Sequence, residues 1–139
     1  MGLVHANIEI INGDDLALVR RGYLREDKVK KIQVNALVDT GAYMLAINEN
    51  LKIQLDLHKV DEQEAELADG TLKRLDVVGP VEIKFKNRRC SCDAMVLPGK
   101  SQILLGAIPM EDMDILVDPK KQELIVNPQS PYIAKKSLK

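Results

Sequence analysis

The chain has 139 residues, of which 45% are apolar, and its 20 basic and 21 acidic residues give a net charge of -1. This length supports one compact domain, and the balanced charge provides no extended field for binding nucleic acid or an anionic membrane. No apolar run approaches the roughly 18 residues of a membrane span, and the N-terminal residues lack the pattern of a signal peptide. We therefore expect a cytoplasmic protein with neither a nucleic-acid partner nor a membrane partner.

Short apolar segments with a period of two residues, separated by Gly, Asn, Asp and Pro, predict a mainly β structure. The first segment covers residues 4–10 and ends at Asn12-Gly13, a dipeptide that favours a tight hairpin turn. Residues 16–19 are predicted to return as the second strand of this hairpin. The charged stretch 20–31 is typical of a solvated hairpin or loop.

The next apolar strand, residues 32–38, leads directly into Asp39-Thr40-Gly41-Ala42. A carboxylate beside an apolar strand is costly to bury unless hydrogen bonds compensate for the lost water. Gly41 allows a sharp turn that brings its amide near the carboxylate, and the Thr40 hydroxyl can bond to neighbouring backbone. These residues alone also permit a simple turn between two strands, with Asp39 half exposed.

A short strand is predicted for residues 43–47, and Asn48 is expected to cap a brief helix that ends near Leu55. The segments 64–68 and 71–75 then predict an exposed hairpin around a two-residue Asp69-Gly70 turn. This hairpin is expected to project from the body of the domain.

The last third of the chain continues the β pattern and contains a second dense motif. Strands are predicted for residues 77–85 and 90–97, with a polar turn between them. The motif Ile103-Leu104-Leu105-Gly106 follows and leads into a short helix over residues 107–113. A final pair of strands is predicted for residues 115–117 and 123–126, separated by a turn.

The two dense motifs together resemble a known family. Leu37-Val38-Asp39-Thr40-Gly41-Ala42 and Ile103-Leu104-Leu105-Gly106 are similar, in order and spacing, to the paired signatures of retropepsin-like aspartic proteases. The C-terminal segment around Asp118-Pro119 resembles the end of bacterial and archaeal single-domain members. The resemblance implies an all-β acid-protease barrel with one or two short helices and one lobe per chain. It assigns residues 1–128 to the protease domain and 129–139 to a polar, basic C-terminal tail.

The same resemblance implies an aspartic endopeptidase that needs no cofactor or metal and takes a peptide or protein substrate. Because the chain contains one Asp-Thr-Gly, a second copy must supply the other carboxylate of an Asp39 pair sharing one proton, so we expect a homodimer. The implied site residues are the catalytic Asp39; the supporting loop Thr40, Gly41 and Ala42; the flap residues Ala68, Asp69, Gly70 and Thr71; and the ψ-loop residues Leu104, Leu105 and Gly106.

Two features depart from the family pattern. Tyr43 follows the Asp-Thr-Gly-Ala stretch where small or polar residues are common, which leaves substrate preference open. The predicted flap carries only Gly70, whereas viral members have a glycine-rich flap. Two alternatives also stay open, namely a non-catalytic dimeric peptide-binding or interaction module of the same fold, and a monomer whose site is completed by a different protein.

Other polar groups have simpler interpretations. Cys90 and Cys92 lie two residues apart on a predicted strand, so their sulfurs share a face. That separation is poor for a disulfide, and a zinc site would require four ligands at a spacing that is missing, so reduced thiols are expected. Asp112 and Asp114 lie in or just after the last short helix and are interpreted as solvated surface charges.

Overall fold

The computed structural model describes residues 3–138 and confirms the all-β class, because strand accounts for 46% of the residues and helix for 18%. The helices are α1 Gly13–Arg20, α2 Glu49–Gln54 and α3 Ala107–Met113, with a 3-10 turn at Glu26–Lys28. The strands are β1 His5–Asn12, β2 Lys31–Val38, β3 Leu45–Asn48, β4 Lys59–Glu66, β5 Leu72–Phe85, β6 Arg88–Leu97, β7 Leu104–Leu105, β8 Ile115–Asp118 and β9 Glu123–Val126. Within residues 3–138, no helix has the length and hydropathy needed to span a bilayer.

Six strands close on themselves to form a barrel. The main sheet has the order β1-β2-β7-β3-β6-β5-β4, and β1 also pairs with β5, so the two ends of the six-stranded part meet. β4 lies outside this closed part and pairs with β5 to form a long hairpin whose β4 strand is almost entirely exposed. β8 and β9 form a separate antiparallel pair.

The core lies inside the barrel and explains the two-residue period of the sequence. Ile8 and Ile10 on β1, Leu45 and Ile47 on β3, and Ile83 on β5 are fully buried. Successive strand residues point to opposite faces, so alternate apolar side chains reach the interior while their neighbours face solvent. Burying each of these side chains contributes about 1.5–3 kcal/mol, which stabilises the barrel that carries the site.

The predicted hairpin at Asn12-Gly13 is wrong, because residues 13–20 form helix α1 and not a second strand. The side-chain oxygen of Asn12 accepts a hydrogen bond from the Asp15 backbone amide at 3.0 Å, so Asn12 caps the helix. Its side-chain amide donates to the Leu55 carbonyl at 2.8 Å in the interior. Asp14 and Asp15 occupy the first turn, where the helix dipole favours negative charge. The turn-forming dipeptide therefore starts a helix.

The other local predictions hold with adjusted boundaries. The Asn48 side chain accepts from the Leu51 amide at 2.9 Å and caps α2, as predicted. The projecting hairpin is confirmed, but its connection is longer than two residues. The Leu67 amide donates to the Thr71 carbonyl and the Gly70 amide donates to the Leu67 carbonyl, so the turn spans residues 67–71.

Candidate active site

The segment that precedes Asp39 is held by a strand from much later in the chain. β7 lies between β2 and β3, and it pairs in parallel with β2, with Leu37 beside Leu104 and Val38 beside Leu105. The Leu37 amide donates to the Ile103 carbonyl at 2.8 Å, and the Asp39 amide donates to the Leu105 carbonyl at 3.0 Å. The backbone of Asp39 is therefore fixed by the second dense motif.

The Asp39 carboxylate is held by the turn that follows it. The Gly41 amide donates to Asp39 Oδ1 at 2.9 Å, and the Ala42 amide donates to the Asp39 carbonyl at 3.1 Å. A Cβ atom at Gly41 would lie 3.2 Å from Asp39 Oδ1, so the close approach suits glycine. Asp39 remains half exposed, with one carboxylate oxygen oriented by backbone. The arrangement presents a positioned acid or base at the surface of one chain.

Helix α3 supports the same turn from below. The Ala107 amide donates to the Ala42 carbonyl at 2.9 Å, and the Ile108 amide donates to the Tyr43 carbonyl at 3.0 Å. These amides are the first-turn donors that have no partner within the helix, and the turn satisfies them. A Cβ atom at Gly106 would lie 2.4 Å from the Met44 carbonyl oxygen, so only glycine allows this contact.

A cleft of about 480 Å³ separates the Asp39 turn from the β4–β5 hairpin. Its lining is mostly apolar and half buried, which is typical of a groove that takes side chains of a ligand. The turn, the barrel and the hairpin all contribute. The lining includes Gly41, Ala42, Tyr43, Met44, residues 63–67, Leu75, Met95, Leu97 and Leu104.

The predicted site residues do not all lie together. Gly41, Ala42 and Leu104 line the cleft, whereas Leu105 is fully buried in the core beneath Asp39. Ala68, Asp69, Gly70 and Thr71 form the exposed tip of the hairpin, beyond the residues that line the cleft of a single chain. Their contact with a substrate stays a prediction. The tip is ordered by the Asp69 carboxylate, which accepts from the Thr71 hydroxyl and amide, and these bonds lower the pKa of Asp69.

Sequence reasoning missed the cleft-facing part of the hairpin. Ala65 and Leu67 are less exposed than the glutamates between and beside them, so alternate residues of β4 and its turn face the body. Gln63 pairs with Leu75, which is buried. The alternation of Gln63, Ala65 and Leu67 with glutamates could have predicted which residues of the hairpin face the cleft.

Thr40 lies on the other side of the turn, in a second depression. It shares this groove of about 340 Å³ with Val38, with Leu3 and Val4 from the N-terminal segment, and with Val117 and Pro119 from the β8–β9 pair. Thr40 therefore lines the groove while Gly41 lines the cleft. In the chain, Asp39 stands between Val38 and Thr40, which line the groove, and two residues before Gly41, which lines the cleft.

Comparison with known proteins agrees with this geometry. A family model described as aspartyl protease matches residues 27–107, a range that contains both the Asp39 turn and Gly106. The chain belongs to the aspartyl protease family. The protease is of the retropepsin-like type, with the all-β barrel and few short helices that this type implies. No curated protein matches the chain.

The polar groups outside the Asp39 turn form no metal site within residues 3–138, because no group of three or more His, Cys, Asp and Glu side chains is placed to hold a metal ion. Cys90 is buried and Cys92 is half buried, and neither forms a disulfide. Asp112 is a surface charge, as predicted, paired with Lys136 at 3.2 Å.

The interpretation of Asp114 as a solvated charge is wrong. Its side chain is only 14% exposed, and it accepts hydrogen bonds from the Asn127 side-chain amide, the Ser130 hydroxyl and the Lys135 backbone amide. These bonds, led by that of Ser130, lower the pKa of Asp114 to about 2. Its partners lie 13 to 21 residues away, so the local sequence did not reveal them.

Proposed function

We propose that the protein is a homodimeric aspartic endopeptidase in which Asp39 is the catalytic residue. Each chain supplies one Asp39, and a twofold axis brings the second copy's Asp39 opposite the first. Two carboxylates a few Å apart cannot both ionise easily, so the pair shares one proton, the behaviour known for aspartic protease dyads.

The observation that carries this proposal is the backbone support of Asp39 at the edge of an apolar cleft. The Gly41 amide holds Asp39 Oδ1 at 2.9 Å, and the Leu105 carbonyl accepts the Asp39 amide at 3.0 Å. A group fixed by backbone needs little reorganisation when charge moves during a reaction. A simple surface turn would not require the crossing strand β7 or the close contact at Gly106.

The reaction follows from one proton shared by two carboxylates. The ionised Asp39 accepts a proton from a water molecule as the water oxygen attacks the scissile carbonyl carbon. The protonated Asp39 of the second copy donates to the carbonyl oxygen, which yields a tetrahedral intermediate. Proton transfer to the leaving nitrogen then breaks the C–N bond. Two peptides are released, and no covalent bond to the protein forms.

The substrate is proposed to bind as an extended peptide between the barrel and the β4–β5 hairpin. The cleft has half-buried apolar side chains at Met44, Met95 and Leu104, which suit apolar substrate side chains. The hairpin tip at Asp69 and Gly70 would close over the peptide as a flap. An extended peptide can add to the site through main-chain hydrogen bonds, as an extra strand does.

The groove beside Thr40 supports the dimer. Its apolar members Val4, Val38 and Val117 lie next to the residue that follows Asp39, on the side away from the cleft. In the proposed dimer, the second copy covers the groove beside Thr40 when the two Asp39 residues lie opposite each other. Burial of this apolar surface would stabilise the association and bring the two Thr40 side chains together.

The test is cleavage of a mixed peptide library at pH ~4 to 7, the acid side of neutrality on which a shared-proton pair works. Wild type, Asp39→Asn and Asp112→Asn are compared at several protein concentrations. We expect cleavage by wild type and by the surface variant Asp112→Asn, and none by Asp39→Asn. Activity should rise faster than linearly with concentration, because only the dimer has a complete site.

Two other outcomes have definite meanings. Equal inactivity of wild type and Asp39→Asn, at concentrations where sedimentation shows a dimer, would refute the peptidase and favour the binding module of the same fold. Cleavage that is linear in concentration by a sedimenting monomer would refute the homodimeric site.

A further inference from the structure

The C-terminal residues beyond β9 are tied to the last helix by a cluster of polar contacts. We propose that residues 127–137, here called the C-terminal strap, hold α3 beneath the Asp39 turn through Asp114 and Arg88 and restrict access to the Cys90 thiol. The part of this inference that concerns catalysis depends on the proposed peptidase function. The part that concerns the strap and the thiols does not.

Asp114 is the anchor of the strap. It ends α3 in a left-handed backbone conformation, with φ 54° and ψ 53°. Its Oδ1 accepts from the Asn127 side chain at 3.0 Å, and its Oδ2 accepts from the Ser130 hydroxyl and from the Lys135 amide at 3.0 Å. One carboxylate thus contacts three positions along the strap. Bonds to a charged acceptor are stronger than neutral ones, so the anchor is well suited to hold an irregular segment.

Arg88 lies beside Asp114, so the hold of Asp114 on the strap depends on the negative charge of its carboxylate. Its side chain is 1% exposed, its Nη2 donates to the Ser130 carbonyl, and the same atom lies 3.9 Å from Asp114 Oδ2. Within residues 3–138, Nε and Nη1 of Arg88 are buried without a hydrogen-bond partner. A buried guanidinium that lacks full hydrogen bonding relies on a nearby carboxylate. Loss of the Asp114 charge would therefore leave a buried cation uncompensated and favour opening of the strap.

The adjacent Asn87 holds the next part of the strap. Its side-chain amide donates to the Pro131 carbonyl at 2.9 Å and to the Tyr132 carbonyl at 3.2 Å. Both contacts are to backbone, so they fix the course of the chain. The strap leads from these contacts back to α3, where Lys135 meets Asp114.

The strap forms part of the wall of an open cavity that also contains the two thiols of β6. A cavity of about 640 Å³ has Cys90 and Cys92 on one side and Lys135 and Lys136 of the strap on another. Cys90 is 2% exposed. The two sulfurs are hydrogen-bonded to each other, which lowers the pKa of Cys90 and raises that of Cys92. Cys92 is only half buried, whereas Cys90 is enclosed, so the reactivity of Cys90 reports the state of the strap.

Helix α3 links the strap to the Asp39 turn. Asp114 is at one end of the helix, and at the other end the Ala107 and Ile108 amides hold the Ala42 and Tyr43 carbonyls. Seven residues span only about 10 Å, and an isolated helix of this length is unstable in water. The helix therefore depends on what holds its ends. In this arrangement Asp114 is a positioning residue for the turn that carries Asp39.

The first experiment compares the variants Asp114→Asn and Asp27→Asn with wild type. Asparagine tolerates the left-handed conformation, so Asp114→Asn removes the charge without adding backbone strain. We expect labelling of the buried Cys90 by a disulfide reagent such as DTNB to be about tenfold faster in Asp114→Asn. Asp27→Asn, which removes a carboxylate from the exposed pair with Arg25 and touches neither the strap nor α3, should label at the wild-type rate.

Two measurements test whether the strap is coupled to the Asp39 turn. The peptidase kcat should fall in Asp114→Asn while KM changes less than about twofold, because the turn that carries Asp39 shifts while the cleft residues on β4, β5 and β6 keep their places. Hydrogen exchange of the Ala107 and Ile108 amides should accelerate as well, and this measurement needs no peptidase activity. If wild type proves inactive as a peptidase, exchange and labelling still decide on the strap.

A second pair of variants serves if Asp114→Asn fails to fold. Lys135→Pro removes the backbone donor to Asp114, whereas Lys135→Ala keeps that donor and removes only the side chain. Faster labelling in the proline variant alone supports the strap. Wild-type labelling rates in both Asp114→Asn and Lys135→Pro would overturn it. Faster labelling with unchanged exchange at Ala107 and Ile108 would overturn its link to the Asp39 turn.

Discussion

Replacing Gly106 by alanine tests whether the crossing of β7 and the Asp39 turn requires the absence of a side chain. The added Cβ would lie 2.4 Å from the Met44 carbonyl oxygen and 2.8 Å from the Ala42 carbonyl oxygen. Carbon–oxygen contacts are about 3.3 Å at their closest, so the overlap with the first atom is about 0.9 Å. Both neighbours are backbone and cannot rotate away. Relief therefore requires the turn itself to move.

The magnitude follows from two opposing effects. Overpacking of this kind costs about 3 kcal/mol, and the loss of glycine flexibility in the unfolded chain returns about 0.5–1 kcal/mol. Gly106 has φ -88°, so no backbone strain is added. The net expectation is a loss of about 2 kcal/mol, equivalent to about 8 °C in Tm for a domain of this size.

The assay is urea unfolding at one fixed protein concentration, together with peptide cleavage. Gly22→Ala is the matched control, because a Cβ there meets nothing within 4 Å although φ is +80°. It should lose about 1 kcal/mol from its backbone conformation alone and keep its activity. Gly106→Ala should lose more stability than the control and lose activity as well. A Gly106→Ala protein as stable as wild type would refute the reasoning about this contact.

Two further predictions concern stability away from the cleft. Asn12→Ala should lower the free energy of unfolding in urea by about 2 kcal/mol, because it removes both the cap of α1 and the buried hydrogen bond to the Leu55 carbonyl. Asn12→Ser keeps a capping oxygen and should recover part of the lost stability. Equal losses of stability in the two variants would contradict the capping role. The pKa of Asp114 is lowered to about 2 by its hydrogen bonds, so its stabilising contribution is complete above pH ~4 and disappears as the pH falls towards 2. Asp114→Asn should therefore flatten the dependence of the urea midpoint on pH between ~2 and 4, and parallel curves for the two proteins would contradict this.

The parts of the site that could be predicted are those encoded in contiguous residues. The Asp39 turn and the Ile103–Gly106 motif are each short, and their pairing followed from resemblance to a family whose order and spacing they share. The α2 cap at Asn48 was also predictable, since a capping side chain acts on amides within three residues. These features depend little on the rest of the chain.

The features that could not be predicted are decided by distant partners. Asn12-Gly13 is compatible with both a hairpin turn and a helix start, and the outcome is favoured by a bond from Asn12 to a carbonyl 43 residues away. Asp114 has a local sequence typical of surface charge, yet Arg88 and the strap enclose it. In both cases the local pattern allowed two structures, and tertiary contacts selected one.

The parallel pairing of β2 with β7 also has a consequence for protein synthesis. Leu37 and Leu104 are neighbours in space but are separated by about half of the chain in sequence. A ribosome-bound chain that ends before Ala107 and Ile108 lacks the amides that hold the turn after Asp39. Contacts between such distant segments form late in folding, because their loop-closure cost comes before their gain. The Asp39 turn can therefore reach its hydrogen-bonded conformation only after almost all strands of the barrel have been synthesised.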